Sequence, residues 1–265
     1  MIFFLTSHSL WLSGIIVVGL GTAVAMLGPA FVRRYVGLER LTANNEIAGF
    51  KFATVGVLYA VLLAFVIILV WQKFADAESD VVQEAGAAAT IYRLSFGIGE
   101  ATGADIRGAM NSYLKAVIDD DWPAMSRGLS GAQTARKALD KTYVTLLTSD
   151  VAQQAGNPVL SELLHQLDLM TQARRARLVA AEGTVPALIW LFLFVGGGVT
   201  IAFTFFFGTE NLRAQTIMTG LLAFLIFAEL LIVVAIDRPF TGSVKVEPTA
   251  LMAVLADFQD RAGAK

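Results

Sequence analysis

The sequence predicts an all-α integral membrane protein, in which two transmembrane helices, a helical extramembrane domain and two more transmembrane helices follow one another. Four stretches contain almost no ionisable side chain: residues 10–32, 52–72, 185–209 and 214–236. Each is long enough, at about 1.5 Å per helical residue, to cross a hydrocarbon core of about 30 Å. The composition agrees, since 56% of the residues are hydrophobic and only 16% are charged.

The same composition excludes several classes of function. The formal net charge is −2, so no basic surface suggests a nucleic-acid partner. There are no cysteines, which excludes disulfides, thiolate nucleophiles and cysteine-ligated metals. The two histidines are His8 and His165, and the Glu162–His165 spacing lacks the second Glu-x-x-His that a carboxylate di-iron site needs. We therefore predict no enzyme, no cofactor and no metal site.

The first helix pair, residues 1–72, is predicted to end in a helix that continues beyond the membrane. A short loop at residues 35–50 separates its two spans. From the end of the second span onward, apolar or small residues recur at the 3–4 spacing of one helix face, without an interrupting proline: Trp71, Phe74, Ala77, Val81, Ala85, Ala88, Tyr92 and Phe96. The pattern predicts one long helix that extends several turns into water.

The middle domain, residues 73–184, contains three amphipathic stripes that predict helices. The members of the stripes are Ile106, Met110, Tyr113, Leu114 and Val117, then Ala135, Leu139, Thr142 and Leu146, then Leu160, Leu163, Leu164, Leu167 and Met170. The last stripe precedes the basic residues Arg174, Arg175 and Arg177. Glycines at 97–108 and 128–131 predict the intervening turns.

The second helix pair, residues 185–236, is predicted to be an antiparallel hairpin because only residues 208–213 separate its spans. The tail, residues 237–265, has the spacing of a short amphipathic helix that lies on the membrane surface or on the domain.

Glu229 is the only acidic residue within the four predicted spans. A charged carboxylate at this depth costs roughly 2.5–3.5 kcal/mol on insertion scales, so its environment must compensate. One hypothesis makes Glu229 a pore-lining residue. The other makes it a hydrogen-bonded carboxyl that joins helices, with Tyr59 and Thr54 as candidate partners.

Asp76, Asp80 and Glu84 recur at every fourth position just beyond the second span, which places three acidic groups on one helix face. They form either a solvated face or, if several copies of this helix surround an axis, an acidic vestibule that concentrates cations.

Two polar motifs at helix ends are predicted to be structural, because Asn, Asp and Gly suit helix caps and turns. The first comprises Asn44, Asn45, Glu46 and Gly49, and the second Asp237, Arg238, Pro239, Phe240 and Gly242. We expect Asp237 to pair with Arg238 and Pro239 to end the last span.

Several segments together resemble the bacterial bestrophin-like family of unknown function. They are Asn44–Phe50, Ala53–Phe65, Ala85–Arg93, Trp122–Pro123 and Asp237–Gly242. The family's two-plus-two helix plan resembles that of bestrophins, which are oligomeric anion channels, so the resemblance implies a channel by analogy of architecture. The sequence has no acceptable match to a bestrophin pore motif or calcium clasp.

The resemblance and the loop charges leave the orientation of the middle domain open. Arg33, Arg34, Arg40 and Lys51 favour a cytoplasmic first loop and an external middle domain, but the basic residues on the opposite side nearly balance them. Bestrophins instead keep this domain in the cytoplasm.

Two hypotheses of function follow for a multi-pass protein of the bacterial cytoplasmic membrane. The first is a homo-oligomeric ion channel or pore, with the lipid bilayer, ions and copies of the same chain as partners. The alternative is a membrane-anchored interaction or sensory module that transports nothing, because most polar residues lie outside the spans.

Overall fold

The computed structural model describes residues 12, 14–129, 131, 133–149 and 157–263, and these residues are helical with short connections and no strands. The helices in chain order are α1 (Ile15–Val36), α2 (Leu38–Ala43), α3 (Asn45–Leu94), α4 (Glu100–Ala116), α5 (Trp122–Ser126), α6 (Gln133–Thr148), α7 (Pro158–Ala180), α8 (Ala187–Thr204), α9 (Leu212–Ile236) and α10 (Thr249–Gly263). Residues Ile15–Leu20 and Val117–Asp121 are π-helical, and Ser95–Gly97 form a 3₁₀ turn.

Four of these helices, α1, α3, α8 and α9, are long and apolar enough to cross a membrane. The predicted all-helical membrane fold is thereby confirmed. The predicted start of the first span at residue 10, like His8, lies outside the described residues. The predicted loop at 35–50 is wrong in part, because α2 and the first turns of α3 occupy it. The apolar Leu41 of α2 is buried, so this helix contributes to the packing of the segment.

Helix α3 runs without interruption for 50 residues, as the proline-free apolar pattern predicts. Ala77, Val81, Ala85, Ala88 and Tyr92 of that pattern are buried. The ends of the pattern differ, since Trp71 and Phe96 are exposed.

The chain divides into two compact units, to both of which α3 contributes. We name them the membrane unit (the described residues up to Gln72, with Thr184–Asp237) and the helical unit (Lys73–Gly183, with the described residues from Arg238 onward). In the membrane unit α9 packs against α1, and α8 contacts both. In the most apolar part of each spanning helix, only 17–39% of the residues are buried. Broad apolar surfaces therefore remain for lipid or for copies of the chain.

The helical unit contains a continuous apolar core formed by α4, α6, α7 and the second half of α3. The three predicted stripes face this core, although Leu160 and Leu164 of the third are only partly buried. The predicted turn at 97–108 is wrong beyond Gly99, because α4 begins at Glu100 and includes Gly103 and Gly108. Each glycine costs a helix about 1 kcal/mol, which the burial of one face of α4 offsets.

The tail belongs to the helical unit, which decides between the two predicted positions of its amphipathic helix. Leu251 and Phe258 of α10 are buried in the core. The Phe258 ring stacks on the Tyr92 ring with centroids 3.8 Å apart.

Candidate functional site

Glu229 lies on an exposed face of α9, between the exposed side chains of Leu225 and Ile232. Within the part of the chain that the structure describes, its carboxylate forms no hydrogen bond or ion pair. A carboxylate among apolar side chains on the outside of a membrane-spanning helix is costly to leave against hydrocarbon. Among the described residues, this carboxylate is therefore exposed and has no polar partner.

Neither candidate partner of Glu229 binds it. Tyr59 is buried, and its hydroxyl donates to the Leu193 carbonyl of α8 at 3.2 Å. This ring lies within electrostatic range of the Glu229 carboxylate. The exposed Thr54 hydroxyl donates to the Phe50 carbonyl of its own helix at 3.3 Å. Within one chain, the hypothesis that Glu229 joins helices through Tyr59 or Thr54 is therefore wrong.

The three acidic residues on one face of α3, Asp76, Asp80 and Glu84, differ in their exposure to solvent. Asp76 is exposed, with a carboxylate oxygen 3.9 Å from the Lys73 ammonium, and Asp80 is partly exposed. Partial burial, with the negative charges of Asp76 and Glu84, raises the pKa of Asp80, although Lys73 opposes this. Glu84 is completely buried. The prediction of Glu84 as a vestibule residue is therefore wrong, because its side chain points into the core of the helical unit.

Glu84 is the acceptor of a buried ionic network. Arg177 of α7 binds it bidentately, with Nε donating to Oε2 at 2.6 Å and Nη2 to Oε1 at 3.0 Å. The Tyr113 hydroxyl donates to Oε1 at 2.5 Å. Arg177 and Arg174 both donate through Nη2 to Oδ2 of the buried Asp121, at 3.2 and 3.3 Å. The network therefore joins α3, α4, α7 and the π-helical segment Val117–Asp121.

The network keeps Arg177 charged and Tyr113 neutral at neutral pH. Burial by itself lowers the pKa of Arg177, but the charge and hydrogen bond of Glu84, with Asp121, raise it above its ordinary value. Burial and the negative charge of Glu84 raise the pKa of Tyr113 well above 10.0. The Arg177 guanidinium and the neutral Tyr113 phenol therefore both hold the Glu84 carboxylate in place. This arrangement suits a structural role.

The first helix-end motif acts through Asn45. Its side-chain amide donates to the Gly208 carbonyl at 2.6 Å, and its Oδ1 accepts from the Gly208 N–H at 2.8 Å. A Cβ at Gly208 would collide with the backbone of Leu41 and Thr42, so this close approach requires glycine. Asn44 bonds only locally to the Arg40 carbonyl. Glu46 is exposed, and Gly49 lies near Phe207.

In the second motif, the buried carboxylate of Asp237 caps a chain turn. Its Oδ1 accepts from the backbone N–H groups of Thr184 and Val185 at 3.1 and 2.8 Å, which locks the start of the α8 segment to the end of α9. The expectation that Asp237 serves to pair with Arg238 missed these two bonds.

The residues after Asp237 belong to the helical unit. The Pro239 carbonyl accepts from the Val246 N–H at 2.7 Å, and Gly242 between them has a φ of 80°. Only glycine adopts this conformation readily. Phe240 is buried edge-on against Trp122, with ring centroids 5.5 Å apart.

Comparison with known proteins assigns the family. The family model described as a bestrophin-like domain matches residues 19–251, which is most of the chain. The chain belongs to the bestrophin-like family. No curated protein matches the sequence.

The bestrophin-like chain is also similar to solved structures. Two are variants, each with a single substitution, of a bacterial bestrophin homolog from Klebsiella pneumoniae. One has a TM-score of 0.74 at 12% identity, over 94% of this chain and 99% of that chain. The other has a TM-score of 0.74 at 14% identity, over 93% and 99%. At such low identity the likeness shows a common fold and nothing about shared residues.

In this bestrophin-like protein, the buried network is the polar cluster that sequence reasoning missed. The signal was present, because Arg174 and Arg177 continue the 3–4 spacing of Leu163, Leu167 and Met170 on the buried face of α7. A charged residue on an apolar stripe predicts a buried partner. Among the described residues, no group of histidine and carboxylate side chains could hold a metal ion.

Proposed function

We propose that this bestrophin-like protein is a homo-oligomeric ion channel of the bacterial cytoplasmic membrane, with several passes of each chain through the bilayer. The observation that carries the proposal is the exposed carboxylate of Glu229 on a membrane-spanning helix, which no other described residue pairs. Facing lipid, it would cost roughly 2.5–3.5 kcal/mol. Facing a water-filled path or a neighbouring copy, it would remain solvated. The family membership and the shared fold support the same conclusion.

The surface of the membrane unit supports the proposed assembly of several chains. Four spans are too few to enclose an aqueous path alone, and the spans have large exposed apolar side chains suited to contacts with further copies. In a ring, Asp76 and Asp80 from each copy would form an acidic collar that concentrates cations. The collar contains no Glu84, because that carboxylate is neutralised by Arg177.

Flux measurements on purified protein in liposomes test the proposal. Ion flux should exceed that of empty liposomes and change with pH in a way that the Glu229→Gln variant does not reproduce. Asp76→Asn with Asp80→Asn should reduce the preference for cations while the Glu229 pH response remains. Absence of flux across salt, pH and tension conditions would contradict a channel and favour the anchored interaction module, which conducts nothing.

A further inference from the structure

A cavity of about 520 Å³ lies in the membrane unit, where three membrane-spanning helices end together. The end of α1, helix α2, the start of α3 and the end of α8 enclose it. Because the ends of spanning helices lie near the bilayer surface, the cavity opens at the depth of lipid headgroups and the first acyl carbons.

The cavity has an apolar wall and a cationic rim. Val199 and Phe203 of α8 and Phe206 of the turn after it form much of the wall. Arg40 and Lys51 are the charged lining residues. Both cations are exposed, and in the described part of the chain neither forms an ion pair or a hydrogen bond. None of the described lining residues is acidic. Two unpaired positive charges therefore lie beside an apolar surface open to the membrane.

We propose that this cavity binds an anionic phospholipid, with the headgroup phosphate between Arg40 and Lys51. A guanidinium donates two parallel hydrogen bonds to phosphate oxygens, and an ammonium adds a compact charge. The upper acyl chain lies on Val199, Phe203 and Phe206, which a headgroup alone would leave uncovered. A free phosphate ion would use only the rim, whereas a phospholipid matches both the rim and the wall.

Native mass spectrometry of the purified full-length protein tests this site without requiring conductance. Phosphatidylglycerol and phosphatidylcholine with identical acyl chains are offered together, and the lipid retained by each chain is counted. The wild type should prefer phosphatidylglycerol. Arg40→Gln and Lys51→Gln should each weaken that preference about five-fold, as expected for loss of one basic residue near an anionic headgroup. Both residues are exposed, so the variants should fold.

Matched variants separate the two parts of the site. Arg34→Gln removes an exposed cation of α1 that does not line the cavity, and it should keep the wild-type preference. Ala48→Leu narrows the cavity without changing its charge, so it should reduce retention of both lipids. A melting curve of each variant confirms that the fold persists.

Three results would overturn the proposal. One is equal retention of both lipids by the wild type. This result is also expected if a neighbouring copy covers the cavity. The second is an unchanged phosphatidylglycerol preference when Arg40 and Lys51 are both glutamine. The third is displacement of the lipid by millimolar inorganic phosphate alone, which would make the rim a free-phosphate site.

Discussion

Arg177 donates from Nε to Oε2 of Glu84 across 2.6 Å, and neither side chain is exposed to solvent. Two charges removed from water in this way depend on each other, because each alone would retain its full desolvation cost. The pair thereby ties α3 to α7 inside the helical unit.

Removal of Glu84 should destabilise the protein strongly. Glu84→Ala leaves Arg177 buried with only Asp121 to neutralise it, and breaking a buried pair costs about 3–5 kcal/mol. Unfolding of the detergent-solubilised protein by heat or denaturant measures the loss. Glu78→Ala removes an exposed glutamate of the same helix and should have little effect. Equal losses in the two variants would contradict the role assigned to the pair.

Tyr113→Phe should lower stability and also change its dependence on alkaline pH. The variant loses a hydrogen bond to a charged acceptor, worth about 1.5–3 kcal/mol. The folded-state pKa of Tyr113 lies above its ordinary 10.0, so its contribution to stability is complete below pH 10.0 and is lost as pH rises above that value. Unfolding curves at increasing pH should show a smaller alkaline loss in the variant. Tyr143→Phe, which removes a hydroxyl bonded to Thr171, should retain the wild-type alkaline loss.

Asn45→Ala should destabilise the membrane unit by about 1–3 kcal/mol, because it leaves both backbone groups of Gly208 without their partner. The neighbouring Asn44→Ala is the control, since the Asn44 side chain bonds only to the Arg40 carbonyl of α2. Melting curves in detergent compare the two. Unchanged stability with altered ion flux would instead make Asn45 a functional residue.

Asp237→Ala should also lower the melting temperature, since the N–H groups of Thr184 and Val185 lose their acceptor. Asp237→Asn keeps an acceptor oxygen at the same position and should restore most of the loss. If alanine and asparagine behave alike, the negative charge of Asp237, not its capping oxygen, is what matters.

Glu229→Gln should change ion flux more than stability. The substitution keeps the shape and hydrogen-bonding capacity of the side chain but removes its titratable proton. In a water-filled path, it should alter conductance, ion preference or pH response while the melting curve stays within about 0.6 kcal/mol of wild type. Ion flux measured at several pH values, together with a melting curve, shows whether the substitution changes function more than stability. Identical flux and pH dependence would remove Glu229 from the pore.

The sequence was most informative where one physical requirement acts along the chain. The hydrocarbon core of the bilayer requires long uncharged helices, so the four stretches with almost no charged residue indicated four spans. The 3–4 spacing of apolar residues indicated the length of α3. The helix-end motifs were recognisable because backbone groups at helix ends need partners. Their actual partners, such as Gly208 for Asn45, were not predictable, since they lie 163 residues away along the chain.

By itself, the sequence determined the membrane class and the helical content, because hydrophobicity and periodicity are local properties. Its short motifs carried the family resemblance. Tertiary structure alone decided which charges are buried and which are exposed. Asp80 and Glu84 occupy equivalent positions along one helix, yet only Glu84 meets Arg177 and leaves water. Glu229 is likewise exposed because no neighbouring described residue covers it. Burial depends on neighbours that are distant in sequence, and only folding brings them together.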